Sequence, residues 1–177
     1  MTVTASTHSF SSVRHLPPAS VVLGIDPGLA ILGYGALSYS SRKPSCITYG
    51  CITTTPDTDF ASRLSLIYQE MLLLIDTHQP AIGAIEKLFF SKNTKTALSV
   101  AQARGVTILA FAQRAIPLIE FTPLEIKQAV AGYGRADKKQ VQRMTRSLLG
   151  LAEIPRPDDA ADALAVALCA GATAPYI

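Results

Sequence analysis

Val21-Val22-Leu23-Gly24-Ile25-Asp26-Pro27-Gly28 is an apolar run that ends on an acid and turns at once. Its length and β-branched content make it a buried strand, and Pro27-Gly28 closes it. Ile31 to Tyr39 gives a second strand, containing Gly33 and Gly35. Arg42-Lys43-Pro44-Ser45 is a hairpin turn, and Cys46 to Thr53 a third strand. The three form an antiparallel meander.

Downstream the period changes. Asp59 caps a helix running to about His78, with Phe60, Leu64, Ile67, Tyr68, Met71, Leu72 and Ile75 along one stripe. Ala81 to Glu86 is a short buried strand, and Asn93 to Arg114 a long helix. Ile116 to Phe121 is the last strand. Pro123 opens a helix that Gly132-Tyr133-Gly134 closes. Asp137 with Gln140 has the spacing of a capping box for a helix ending near Gly150. Pro155 and Pro157 bound a linker, and Asp158 is the expected N-cap of an Ala- and Leu-rich helix. Strands separated by helices pair in parallel, whereas the first three do not. The order therefore predicts an α/β fold with a mixed five-stranded sheet flanked by helices.

Four acids resist a purely structural explanation. Asp26 and Glu86 each end an apolar strand, and Asp159 and Asp162 sit three apart on one face of the last helix. Burying even a neutral polar group without a partner costs about 2–7 kcal/mol. Asp159 gains from the helix dipole in the first turn, but Asp162 has no such excuse on an apolar helix. In open α/β sheets ligands gather at the C-terminal ends of strands, where Asp26 and Glu86 lie. Alanines around Asp159 and Asp162 let their helix approach the sheet closely. The partner that suits clustered carboxylates is a hard divalent cation such as Mg2+. Phosphodiester hydrolysis gives the cluster a use: two metals about 3.5–4 Å apart can activate water and stabilise the leaving oxygen.

The composition narrows the field. Of 177 residues 49% are hydrophobic and 16% charged, which excludes a disordered chain, and the length suits one domain with a substantial core. Net charge is only +3, yet Lys127 to Arg146 holds six basic residues and one acid, Asp137. A basic stretch beside an acidic site fits a metal-dependent enzyme acting on a polyanion, although a solvated helix face reads the same way. Cys46, Cys51 and Cys169 have no metal or disulfide spacing and suit a reducing cytoplasm. His8, His15 and His78 are too scattered for zinc, and no apolar run reaches membrane-span length. Residues 1–20 are rich in Ser and Thr, lack acids and end near Pro17-Pro18. With one arginine and no amphipathic stripe they read as a disordered extension rather than a transit peptide.

Five motifs stand in order: Gly24-Ile25-Asp26-Pro27-Gly28, Ile85-Glu86-Lys87-Leu88-Phe89, Ala101-Gln102-Ala103-Arg104-Gly105, Lys127-Gln128-Ala129-Val130 and Asp159-Ala160-Ala161-Asp162-Ala163-Leu164-Ala165. Over about residues 20–170 the chain resembles the RuvC family of crossover-junction endodeoxyribonucleases, which resolve Holliday junctions. The resemblance implies a ribonuclease-H-like domain over 21–172, a homodimer, and Mg2+-dependent cleavage of two opposed strands of a four-way DNA junction. Two Mg2+ per site are implied, with Mn2+ as a substitute. Asp26, Glu86, Asp159 and Asp162 match the family's catalytic acids, Asp162 as metal ligand or base. Phe89 matches an aromatic that contacts the junction, and Lys127 and Lys138 match basic residues that support cleavage and binding. Lys139 and Arg143 extend the basic set along the same helix. The RuvA–RuvB branch-migration complex is the implied partner. Lys87 departs from the family pattern, and its ammonium either meets phosphate or perturbs Glu86. The chain lacks a basic tail after the last helix.

Other readings make different demands. An actin-like phosphotransferase shares the Gly-Ile-Asp-Pro-Gly loop but needs two such domains. A resolvase-like nuclease of the YqgF type has a different context for its last acid. A catalytically weak branched-DNA-binding module would not need all four acids.

Overall fold

A computed structural model describes residues 20–40, 43–88 and 94–173. The expected extension, apart from Ser20, and the aromatic pair Phe89-Phe90 lie outside the described residues. Five strands are present: β1 (Ser20–Asp26), β2 (Ile31–Tyr39), β3 (Ser45–Thr53), β4 (Ile82–Glu86) and β5 (Leu118–Phe121). They lie in the order β3-β2-β1-β4-β5. β1 pairs antiparallel with β2, and β2 with β3, as the meander required. β1 pairs parallel with β4, and β4 with β5. The helices are α1 (Phe60–His78), α2 (Thr94–Gln113), α3 (Pro123–Ala131), α4 (Lys138–Leu149) and α5 (Asp158–Thr173). No described helix is long and apolar enough to cross a membrane.

The sheet separates two cores. Leu23, Ile25 and Ile85 meet Ile67, Met71 and Ile75 of α1 and Ala103, Ala110 and Phe111 of α2. On the other face Val22, Ile82, Ala84 and Phe121 meet α3, α4 and α5. Alternation along each strand then decides where the strand-end acids point. Val22 and Gly24 face α5, so Asp26 does too. Ile82 and Ala84 face the same way, and so does Glu86. Ile25 is in register with Ile85, which places Asp26 and Glu86 side by side at the ends of neighbouring parallel strands.

α5 crosses β1 and β2 at backbone contact distance. A Cβ at Gly24 would stand 2.3 Å from the Ala163 carbonyl oxygen, and one at Gly33 would stand 2.0 Å from that of Asp159. The glycines of the strands and the alanines of the helix together permit this approach. Nearly the whole of α5 from Ala160 to Gly171 is buried, Asp162 being the half-exposed exception.

Some boundaries differ from expectation. β4 starts at Ile82, one residue later than the apolar run suggests, although Ala81 already donates its N–H to the Val21 carbonyl. β5 starts at Leu118, two residues later than the apolar run suggests. Asp158 is not an N-cap but the first residue of α5, where its carboxylate turns to Lys138. α3 and α4 both begin with capping boxes, Thr122 with Glu125 and Asp137 with Gln140.

Candidate active site

Four acids converge from three elements. Asp26 and Glu86 come from β1 and β4, and Asp159 and Asp162 from the first turns of α5. Asp26 lies deepest. Burial, then the negative charges of Glu86, Asp162 and Asp159, push its carboxyl up to about 8, with Lys138 opposing. Glu86 is raised by burial and by Asp162, against Lys127 and Lys138. Asp162 is also raised by burial, while the hydrogen bond and charge of Lys138 pull the other way.

Lys138 is the principal counter-charge. The α4 capping box makes it the first helical residue, and its Nζ lies 2.9 Å from Asp162 Oδ2 and 3.4 Å from Asp158 Oδ2. A cation at a helix N-terminus is disfavoured by the dipole, so these carboxylates are what hold it there. Burial costs this ammonium some water. The hydrogen bond and charge of Asp162, and then Asp158, nevertheless keep it above the ordinary lysine range.

The cleft has two lobes that share Glu86 and Pro123. One, of about 290 Å³, is lined by Glu86, Lys127, Lys138 and Asp162 over an apolar floor of Ile126, Val141, Ala165 and Val166. The other, of about 240 Å³, holds Asp26, Pro27, Glu86, Lys87, Leu88 and Val100. Lys87 is exposed at its rim.

The donor set suits a hard divalent cation. It consists of carboxylate oxygens, of which those of Asp26, Glu86 and Asp162 are partly stripped of water and raised by acidic neighbours; a bound cation would relieve that repulsion. Among the described residues no three such donors already close around one point as a cage. Lys138 supplies part of the missing charge.

Of the other expected residues, Lys127 and Lys138 line the cleft. Lys139 and Arg143 are exposed on α4, and Arg143 borders a separate hollow with Tyr133, Gln140 and Met144. Phe89 lies outside the described residues. Two neighbours were not foreseen. Cys51 on β3 carries a thiol that burial and the charge of Asp159 push up to about 11. Nothing local in the sequence ties this strand residue to the acids. Arg104, inside one of the quoted motifs, reaches the end of β4 from behind the sheet.

The profile of the family described as crossover junction endodeoxyribonuclease RuvC matches residues 22–170. A relative of that description from Finegoldia magna is 59% identical over 148 residues, covering 84% of this chain and 90% of the relative. One from Moorella thermoacetica is 54% identical over 156 residues, covering 88% and 93%. Among solved structures, Thermus thermophilus RuvC in complex with a Holliday junction substrate superposes with a TM-score of 0.81 at 35% identity, covering 85% of this chain and 92% of that one.

Proposed function

The chain belongs to the RuvC family and is a crossover junction endodeoxyribonuclease that resolves Holliday junctions in recombination and repair; on that premise we propose that it cuts in the cleft where Asp26, Glu86, Asp159 and Asp162 meet. The observation that supports this assignment is that Asp26, Glu86 and Asp162 line a cleft shared with Lys127 and Lys138, with the charge of Asp159 close enough to act on Asp26. The four carboxylates would hold two Mg2+, or Mn2+ in its place. When bound, such a metal pair supplies Lewis acidity at the scissile phosphate and a water acidified enough to attack it.

The remaining work falls to the protein. Asp26, central and most desolvated, faces all three other acids and orders them about itself. Lys127 and Lys138 neutralise phosphate charge at the cleft's mouth. Lys138, bonded to Asp162 across 2.9 Å, is placed to meet a phosphate oxygen, and Asp162 would be one of the residues that hold the metal. Lys139 and Arg143, on the exposed side of α4, extend the phosphate track away from the cleft, and Phe89, outside the described residues, would stack on an unpaired base.

Resolution requires two cuts on opposed strands, so one site per chain favours a two-fold dimer. α2 offers the surface. Ala103, Thr107, Ala110 and Phe111 are buried against the sheet, while Leu98 and Leu109 are 68% and 49% exposed on the other side with Gly105 between. Residues 21–172 form the nuclease domain, and the cytoplasm, where chromosomal DNA and the RuvA–RuvB complex reside, is the site of action. The test is a synthetic four-way junction incubated with and without Mg2+. Paired, symmetric nicks that need the metal support the reading; metal-independent or unpaired nicking overturns it.

A further inference from the structure

We infer that Arg104 is a positioning residue that fixes the main chain of Glu86 from the side of the sheet opposite the cleft. The inference rests on Glu86 being a metal-binding acid, as proposed above. Arg104 lies on the inner side of α2 next to buried Ala103. Its Nη2 is 2.6 Å from Glu120 Oε2, and its Nε donates a long hydrogen bond, 3.4 Å, to the carbonyl oxygen of Glu86. Alternation places Glu120 on the α1–α2 face of β5, away from the cleft, between Ile119 and Phe121, which face α5. Glu120 is in register with Ile85, one residue before Glu86. The guanidinium therefore spans the ends of β4 and β5 behind the acids.

The contact has a specific job. Glu86 is the last residue of β4, and its carbonyl is not part of the β4–β1 pairing, which ends at Ile85. On its β5 side Glu86 is paired with Phe121, and the Lys87 N–H is donated to the Phe121 carbonyl at 2.7 Å. Arg104 restrains the other edge of the same peptide plane. With both edges held, the direction of the Glu86 side chain is fixed independently of the segment that follows it. The Arg104 side chain is only 16% exposed, and its planar fork serves two acceptors at once. Its carboxylate partner is 42% exposed, so the charge of Glu120 is largely carried by water, and the guanidinium keeps both bonds without a buried excess charge.

The test uses the full chain with Arg104→Gln, Arg104→Lys, Glu120→Gln and Glu86→Gln. Mn2+ and Mg2+ binding are measured calorimetrically without DNA, alongside junction affinity in EDTA, thermal unfolding and cleavage. Arg104→Gln should weaken metal binding about 10–100-fold, the range seen when an outer-sphere partner is lost, with junction affinity in EDTA unchanged within about twofold. Arg104→Lys should fall between, since an ammonium serves one acceptor well but not both. Raising Mg2+ should restore part of the cleavage. A purely structural residue would lower the melting temperature and leave metal affinity alone. Metal affinity within about twofold of wild type in both Arg104 variants overturns the inference. If Arg104→Gln does not fold, Arg104→Lys and Glu120→Gln decide by the same measure. If Glu86→Gln itself leaves metal binding intact, the assignment of the acids fails instead.

Discussion

Gly33 on β2 lies so close to Asp159 on α5 that a methyl group there would stand 2.0 Å from the Asp159 carbonyl oxygen. The contact is backbone on backbone, so no side chain can swing aside to relieve it. Gly33→Ala should push the first turn of α5 off the sheet and carry Asp159 with it. We expect a stability loss of about 1–3 kcal/mol, as for overpacking, visible in thermal unfolding. Cleavage should fall further than stability, on the order of a hundredfold, because displacing a reacting group by about 1 Å has that effect. Normal cleavage by a folded Gly33→Ala protein would show that α5 has slack at this point.

Asp26→Asn, Glu86→Gln, Asp159→Asn and Asp162→Asn should each abolish or severely reduce junction cleavage, by about a hundredfold or more. Junction binding should largely survive, because backbone phosphates are met by other residues. Gel-shift and cleavage assays on one four-way junction separate the two effects. Near-normal cutting by the Asp26 or Glu86 variant would remove that acid from the site.

The carboxyl of Asp26 is raised from 3.8 to about 8, by burial first and by its acidic neighbours second. Between those values the folded protein keeps a proton that the unfolded chain has lost. Metal-free stability should therefore fall as pH rises from about 4 to about 8. Asp26→Asn carries no such proton, so its curve should be flatter, and above pH 8 it should be the more stable protein by roughly a few kcal/mol without metal. Saturating Mg2+ should reverse the order, since only the carboxylate binds it well. Unfolding midpoints across this range, with EDTA and with Mg2+, check both halves.

Junction affinity should drop steeply with salt. Lys138→Ala should weaken binding to every junction sequence and reduce the slope of log K against log salt by about one, the share of a single phosphate contact. An unchanged slope would leave Lys138 as a partner of Asp162 and Asp158 alone.

Leu98→Glu should give a folded monomer that nicks one strand or neither. Leu98 is 68% exposed, whereas Ala101, on the same helix, is half-buried, so the leucine is the cleaner probe. Sedimentation at micromolar concentration reads the assembly state. A wild-type protein that stays monomeric both free and on a junction would sink the dimer.

The strand ends were legible because burial and alternation are local: an apolar run that stops on an acid places that acid at a sheet's edge whatever surrounds it. The Asp137 and Gln140 pair was legible for the same reason, since a capping box closes within four residues. Contacts across long sequence separations were not. The alanines around Asp159 and Asp162 signal that the last helix approaches the sheet, but nothing in the strands marks Gly24 and Gly33 as the positions that meet Ala163 and Asp159. Arg104 sits eighteen positions from Glu86, and no periodicity announces that pairing. Asp158 has a capping residue's composition, yet Lys138, brought in by α4, gives its carboxylate another partner.

The way α5 lies over β1 and β2 also bears on when this nuclease becomes dangerous to its own cell. Under the proposed assignment, two of the four acids arrive only with the final helix, which also covers the strands holding the first. A chain still emerging from the ribosome has neither Asp159 nor Asp162 to offer. A chain clipped before α5 leaves Gly24 and Gly33 bare and Asp26 without its neighbours. Cutting competence thus waits for α5 during synthesis and goes when α5 is removed, so copies that lack it present DNA with no working blade.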